Sequence, residues 1–228
     1  MNGKLRQVFH ELGLVDGCCY LLACALARAS GGRAGLFSYR FFAQPLATAA
    51  RCGARSGGID VRPLPHPLAC ERFPRDAAVL RRRFSQGAHC LAAYRRQELT
   101  GFLWYCAGAY AEDEVRARFE LPSCAVWDFD VQVLPAHQFG FTFARLWDEA
   151  SLRLRAEGKR WSLSRISGFN RPSQRAHLRL GAIQVGRAVF VRGSRWQWMV
   201  STVRPYLHLS FRSDAGPRLR LQVPAEAQ

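Results

Sequence analysis

The chain predicts a single α/β domain, with a mixed, largely antiparallel twisted sheet of about six to seven strands flanked by helices and an N-terminal helical segment ahead of it. Three observations lead there. Strand-like runs outnumber helical ones, and helical patterns separate some of them. At 228 residues the chain is long enough for one good core with a small appendage. Its 49% hydrophobic and 22% charged residues are ordinary for a globular protein. The boundaries read as a helical segment over 1–33, the domain over 34–212 and a tail over 213–228.

Residues 3–12 predict a short amphipathic helix, broken at Asp16-Gly17 and followed by the apolar run CCYLLACALA over 18–27. Ten residues are too few to cross a bilayer, which takes about twenty. Ala25-Leu26-Ala27 has the small residues of a signal-peptide cleavage site. Against that, Glu11 and Asp16 precede the apolar run, and cleavage leaves an odd five cysteines. The segment reads as a helix packed on the domain. Peripheral contact with a membrane, helped by Lys4, Arg6, Arg28 and Arg33, is the lesser alternative.

Gly31-Gly32 closes that helix, and Leu36 to Gln44 reads as a strand. Residues 45–73 are interrupted by Pro45, Gly57-Gly58, Pro63, Pro65 and Pro67 and look irregular. Phe73 to Phe84 suggests a basic amphipathic helix, with Arg81, Arg82 and Arg83 near its C-terminal end, where they suit the dipole. His89–Tyr94 and Leu99–Ala107 form a hairpin across 95–98. Residues 110–120 carry Glu112, Asp113 and Glu114, either as the acidic first turn of a short helix or as a site for a cationic amine.

From Ala125 the pattern sharpens. Trp127, Phe129, Val131 and Val133 alternate with Asp128, Asp130 and Gln132, as in a strand buried on one face. Pro135 ends the run, since it has no N–H for a ladder. Gly140 stands before a helical pattern carried by Phe143, Leu146, Trp147, Ala150 and Leu154, and Gly158 occupies a C′ position. The first amides of such a helix lack internal partners and suit a phosphate. A second unit repeats the order: Trp161–Ser167 as strand, Asn170 as N-cap, Pro172 in the first turn and Gly181 as stop. Ala182–Val191 and Trp196–Val203 then form a hairpin, and 206–211 adds a strand. Trp196 and Trp198 share one face, as core or as substrate-stacking residues.

The net charge is +16, from 33 basic and 17 acidic residues. It is concentrated in residues 158–228, which hold thirteen basic and two acidic side chains. An anionic partner fits this, and so does coding bias, since arginines number thirty-one against two lysines. No nucleic-acid recognition motif accompanies the charge, so a nucleic-acid partner is not expected. The eight cysteines make no C-x-x-C pair and no zinc spacing, which points to small buried residues in a reducing compartment and to no metal.

The two strand–helix units resemble the GNAT superfamily of acyl-CoA-dependent N-acyltransferases. The family's phosphate loop, Q/R-x-x-G-x-G/A, corresponds to His137-Gln138-Phe139-Gly140-Phe141-Thr142. Its later motif, N-x-x-A-x-x-x-Y-x-x-x-G-F, corresponds to Asn170, Ser173, His177, Gly181 and Ala182. The layout of the resemblance runs from Leu36 to Phe211, and its motifs lie within Ala125 to Ala182. His137 departs from Gln/Arg, Thr142 from a small residue, His177 from Tyr and Ala182 from Phe.

The resemblance implies a cytoplasmic N-acetyltransferase that moves an acetyl group from acetyl-CoA to an amine in a ternary complex. It implies that Val131 and Val133 offer backbone N–H groups to the thioester. It implies that residues 137 to 142, with Asn170 and Ser173, hold the cofactor. Asp130 becomes the base, with Asp128 on the same strand face, and His177 the group that protonates the leaving thiolate. A histidine does this only when charged, and with a pKa of about 6.5 roughly a quarter is charged at pH 7. The other reading is a catalytically degenerate member that binds CoA or another anion without turnover. The acceptor amine and the oligomeric state are not legible.

Overall fold

The computed structural model describes residues 2–52, 58–65, 73–138, 140–212 and 214–225. Along the chain come α1 (Asn2–Ser30), β1 (Gly35–Pro45), β2 (Ile59–Pro63), α2 (Ala77–Ser85), β3 (His89–Arg95) and β4 (Glu98–Ala107). Then follow β5 (Ala109–Ala111), β6 (Arg118–Glu120), β7 (Ala125–Val133), a 3-10 turn (Pro135–His137), α3 (Thr142–Ala156), β8 (Trp161–Ser167) and α4 (Arg171–Arg179). The last strands are β9 (Ile183–Arg192), β10 (Gln197–Ser201), β11 (Leu207–Ser210) and β12 (Arg218–Arg220). The architecture is the mixed α/β one expected, with more strands, because several short ones were not visible as periodic runs.

The chain forms two compact units. One contains Met1–Gln44, Ala111–Leu121 and Leu163–Gln228; the other contains Pro45–Tyr110 and Pro122–Ser162. They are called here the first and the second unit.

The second unit is a sheet in the order β7-β4-β3-β2, each neighbour antiparallel, with α3 packed on it. The helical stripe is as expected: Leu146, Trp147, Ala150 and Leu154 are buried against Leu91, Leu103 and Val126. Only Phe143, at the start of the helix, stays exposed. Gly101 lets α3 approach: a Cβ there meets the Gln132 carbonyl oxygen at 2.7 Å and Thr142 Cγ2 at 3.0 Å. The helix ends where Gly158 predicted, with Lys159 N–H donating to Leu154 O (2.9 Å) and Gly158 N–H to Arg155 O (3.0 Å). That pair of bonds is a Schellman closure, and the positive φ of Gly158 (78°) permits it. The β3–β4 turn is a two-residue one, with Arg96 and Gln97 both at positive φ, as a primed hairpin turn demands. Within the segment expected to be irregular, β2 adds a strand to β3.

The first unit has the order β11-β10-β9-β1-β8, with β11, β10, β9 and β1 antiparallel to their neighbours. Its α1 is kinked at Gly13 (φ 75°, ψ 176°), a conformation only glycine adopts readily, and not at Asp16-Gly17. Asp16 continues the helix because its carboxylate is buried against Arg40 and Arg171. At Gly17 the Phe9 ring fills the space a Cβ needs, 2.7 Å away, so this glycine serves packing inside the helix. The helix therefore extends beyond the ten apolar residues legible in sequence. Leu5–Ser30 is long and apolar enough, by length and composition, to cross a membrane, with a mean hydropathy of 1.5.

Two expectations change. Residues 110–120 form no helix; Tyr110 and Ala111 close β5, and Arg118–Glu120 makes β6 around the fully buried Phe119. The segment expected as a tail supplies β12, which runs parallel to β6 and buries Leu219, and Leu221 just beyond the strand is buried too.

Candidate functional site

The residues singled out by sequence fall into both units, and each set has its own geometry. In the second unit, β7 carries a bulge. Between the pairs Phe102–Gln132 and Trp104–Phe129, β4 has one residue, Leu103, where β7 has two, Asp130 and Val131. Asp130 takes a positive φ of 49° there, uncommon for a residue with a side chain. A bulge removes backbone from the ladder and re-aims it. The two residues at the bulge are thus the ones whose amides are least committed to β4. Val131 and Val133 are half-buried, with Val131 packed on the core beneath α3.

The bulge is clamped by side chains. Arg75 Nε donates to Asp130 Oδ2 at 2.7 Å, Arg75 Nη2 donates to Oδ1, and Arg83 Nη1 donates to Oδ2. Arg75 also reaches Gln132 Oε1 at 2.9 Å. Arg83 lies in the core, over the rings of Trp104 and Phe129 at 5.2 Å each. Burial pushes the Asp130 carboxyl upward, but the bonds and charges of Arg75 and Arg83 outweigh it and hold its pKa below the ordinary value. A carboxylate engaged this way is a poor proton acceptor. Its geometry is that of an anchor for the bulge, which differs from the role the sequence suggested.

Asp128 is the reverse. It is buried, and burial pushes its pKa up to about 7, with the hydrogen bond from Ser162 Oγ (2.6 Å) pulling the other way. Of the two acids, Asp128 has the proton affinity that a base near neutral pH needs.

The turn after β7 is only partly open. Gln138 N–H donates to Pro135 O (3.5 Å) and Gly140 N–H to His137 O (3.1 Å), so two of the amides expected to face a phosphate are spent locally. Phe139 lies outside the described residues. His137 is half-buried, Gln138, Gly140 and Phe141 are exposed, and Thr142 is buried beside Gly101. Gly140 is not in the left-handed region, and a Cβ on it comes to 3.4 Å from His137 O. What stays available is the start of α3. No side chain caps it, and no acidic residue stands in its first turn. Arg145 Nε is buried with no hydrogen-bond partner among the described residues. These features fit the pyrophosphate of an acyl-CoA, which needs N–H donors and a cation.

In the first unit, Asn170 caps α4: its Oδ1 accepts from Ser173 N–H at 3.1 Å. That bond uses the amide oxygen of one residue and the backbone donor of the other. Ala182 N–H donates to His177 O and Gly181 N–H to Leu178 O, both at 3.0 Å, closing the helix where Gly181 predicted. His177 is half-buried near the Phe42 ring (6.2 Å between centroids), and burial lowers its pKa. Its Nδ1 has no hydrogen-bond partner among the described residues. A neutral imidazole is a weak acid for an ordinary thiolate.

The acidic cluster of this unit is internally matched. Arg165 Nη2 lies 2.9 Å from both Glu112 Oε1 and Glu114 Oε2, and the Tyr39 hydroxyl donates to Glu114 Oε2 at 2.8 Å. Two carboxylates thus share one guanidinium, and neither stands in the first turn of a helix. Trp196 and Trp198 are exposed on the surface. Among the described residues no group of His, Cys, Asp or Glu is arranged to hold a metal ion.

Arg75 and Ser162, which shape the strand, are not singled out by sequence, and Arg83 is read only for the helix dipole. For Arg83 a signal existed. It stands three residues after Leu80, on the stripe of α2 that turns inward, and both are buried.

No protein-family model matches the chain, and no curated protein does. Solved structures show likeness at 12–14% identity. They include a GCN5-related N-acetyltransferase from Sphaerobacter thermophilus (TM-score 0.48, 14% identity, 75% of this chain and 56% of that one). A putative GNAT-family acetyltransferase from Novosphingobium aromaticivorans gives TM-score 0.45 and 12% identity over 68% of this chain and 63% of that one. A functionally unknown conserved protein from Staphylococcus epidermidis gives 0.46 and 12%, over 74% and 65%. The chain is similar to these solved structures at TM-scores of 0.45 to 0.48. It spans 56 to 65% of the length of these three structures.

Proposed function

We propose that the protein is an N-acyltransferase that moves an acyl group, in the first instance acetyl, from CoA to an amine acceptor by direct attack. The observation that carries this reading is the strand–turn–helix of the second unit: a clamped bulge at Asp130–Val131, followed by a helix start with no side-chain cap. The bulge takes Asp130 and Val131 out of register with β4, and the start of α3 has no side-chain cap, so one suits a carbonyl oxygen and the other a diphosphate. The strand–helix motif order supports the same reading.

In this proposal the chain from His137 to Thr142, with Arg145, holds the cofactor's phosphates. Bound acyl-CoA supplies an activated thioester. The amides at Val131 and Val133 polarise its carbonyl; an aimed donor in a dry site is worth roughly 3–4 kcal/mol. Arg75 and Arg83 hold the bulge in place through Asp130. Asp128 takes the proton from the attacking amine, since its carboxyl, at about 7, accepts one near neutral pH. The CoA thiolate leaves into solvent and takes its proton there. No cysteine follows Cys124, so the motif region offers no thiol as an acyl carrier. The proposed compartment is the cytosol, a reducing one that suits the free cysteines.

Isothermal titration calorimetry with acetyl-CoA tests the cofactor, and release of free CoA across an amine panel, followed by mass spectrometry, tests turnover. Gly140→Glu is expected to abolish CoA binding, and Gly140→Ala to keep it, since the site has room for a methyl group. Absence of CoA binding by the folded wild type overturns the proposal. The engagement of Asp130 by two arginines favours one alternative, a non-catalytic CoA binder; binding without turnover on any amine selects it.

A further inference from the structure

The first unit leaves one face of its sheet uncovered. Strand pairing places Val191, Trp198 and Leu209 in one row across β9, β10 and β11, and Val189, Val200 and Leu207 in the next. All six are apolar and share a face. On β1 the same face carries Leu36 and Ser38, both buried, whereas on β11 Leu207 and Leu209 are 63% and 56% exposed. Phe211 continues the row just past β11 at 71%. An exposed apolar row of this kind on an edge strand is normally avoided in a soluble protein.

The surface continues onto α1. A groove of about 300 Å³ is lined by Val15 of α1 on one side and by Val189 and Val200 on the other, with the paired Asp16 and Arg40 and the exposed Arg187 also in its wall. Leu14, Val15 and Leu22 of α1 are themselves 74%, 62% and 56% exposed. Helix and strands thus present one apolar surface within one unit.

We propose that this surface docks on an anionic lipid bilayer. Charge complementarity selects that occupant. From residue 158 to residue 213 the chain has no Asp or Glu; the exposed Arg187 lies within β9, two residues from Val189, and the exposed Arg195 and Arg204 flank β10. A second copy brings the same positive charge against itself; anionic headgroups neutralise it. Exposed Trp196, Trp198 and Tyr206 provide amphipathic rings of the kind enriched at a bilayer boundary. The mode is docking, not spanning. Asp16, in the middle of Leu5–Ser30, is tied to Arg40 of β1 and Arg171 of α4, and the helix is broken at Gly13. Extracting α1 to cross a bilayer strands three charges that the unit now pairs. The inference is independent of the acyltransfer reading.

The test is co-sedimentation of the full chain with phosphatidylcholine vesicles, with and without phosphatidylglycerol. The expected result is at least about tenfold tighter binding to the anionic vesicles, most of it lost as salt rises to about 0.5 M. Leu207→Asp with Leu209→Asp, both on the exposed face, is expected to lower that binding by about tenfold with an unchanged circular dichroism spectrum. Leu22→Asp on α1 tests the helical half in the same way. Lack of binding to anionic vesicles overturns the proposal, as does binding indifferent to both sets of substitutions. Retention on the membrane through alkaline carbonate identifies α1 as a spanning helix and also overturns it. A dimer in light scattering that Leu207→Asp with Leu209→Asp dissociates assigns the face to a second copy instead.

Discussion

Two carboxylates two residues apart on β7 respond oppositely to pH. Asp128, buried with its carboxyl near 7, binds a proton in the folded state across a range where an unfolded aspartate, at about 3.9, has lost it. The folded state therefore holds more protons, and this group's contribution falls as pH rises from about 4 through 7. Asp128→Asn keeps the bond from Ser162 and removes the ionisation. It is expected to match wild type in urea denaturation at pH 4 and to be more stable at pH 8, by about 4 kcal/mol at most. If Asp128 is also the proton acceptor, the same variant loses the rise of kcat/KM near pH 7, and Asp130→Asn keeps it.

Asp130, its pKa held low by Arg75 and Arg83, lends stability above the unfolded aspartate pKa and loses it as pH falls through the lower folded value. Asp130→Ala leaves Arg83, 8% exposed, without its partner and is expected to cost roughly 3 kcal/mol at pH 7. Asp130→Asn, which still accepts hydrogen bonds, costs less. The alternation of β7 showed both acids in sequence and said nothing of this difference. The partners of Asp130 are 55 and 47 residues away, on a segment read only for its helix dipole.

Elements were legible where their ends are set locally. Asn170, Gly158 and Gly181 act within four residues of the groups they satisfy, so the limits of α3 and α4 followed from the chain itself. Asn170→Ala is expected to lower stability by about 1 kcal/mol in thermal or urea unfolding, the usual loss for an N-cap. Gly101 shows the other kind of constraint. Its φ is not positive and no turn requires it; the requirement comes from α3 packed over β4 and from the Gln132 carbonyl of β7 beside it. Gly101→Ala forces the Gln132 carbonyl or α3 aside and is expected to destabilise by about 1–3 kcal/mol. Gly140→Ala, with room at its site, is expected to be near neutral in the same measurement. The kink of α1 belongs to this class too. The sequence places the break at Asp16-Gly17; the structure places it at Gly13, with Asp16 held by Arg40 and Arg171 and Gly17 packed against Phe9.

At the scale of the molecule, exposure sorts the cysteines. Cys18 and Cys24 are exposed, whereas Cys52, Cys90 and Cys106 are buried, and burial raises the Cys52 thiol pKa first among its causes. Brief alkylation with iodoacetamide, mapped by peptide mass spectrometry, is expected to label Cys18 and Cys24 in the native protein. Cys52, Cys90 and Cys106 react only after unfolding.

The sequence by itself determined the class of fold, the strand–turn–helix units and most element boundaries, because periodicity, caps and breakers act over a few residues. The tertiary structure decided which side chains meet. It chose Arg75 and Arg83 for Asp130, buried Asp16 in α1, paired residues 218–220 with β6 and left the outer face of β11 bare. Each of those outcomes joins or separates residues far apart in the chain, and no local pattern specifies the partner that folding brings alongside.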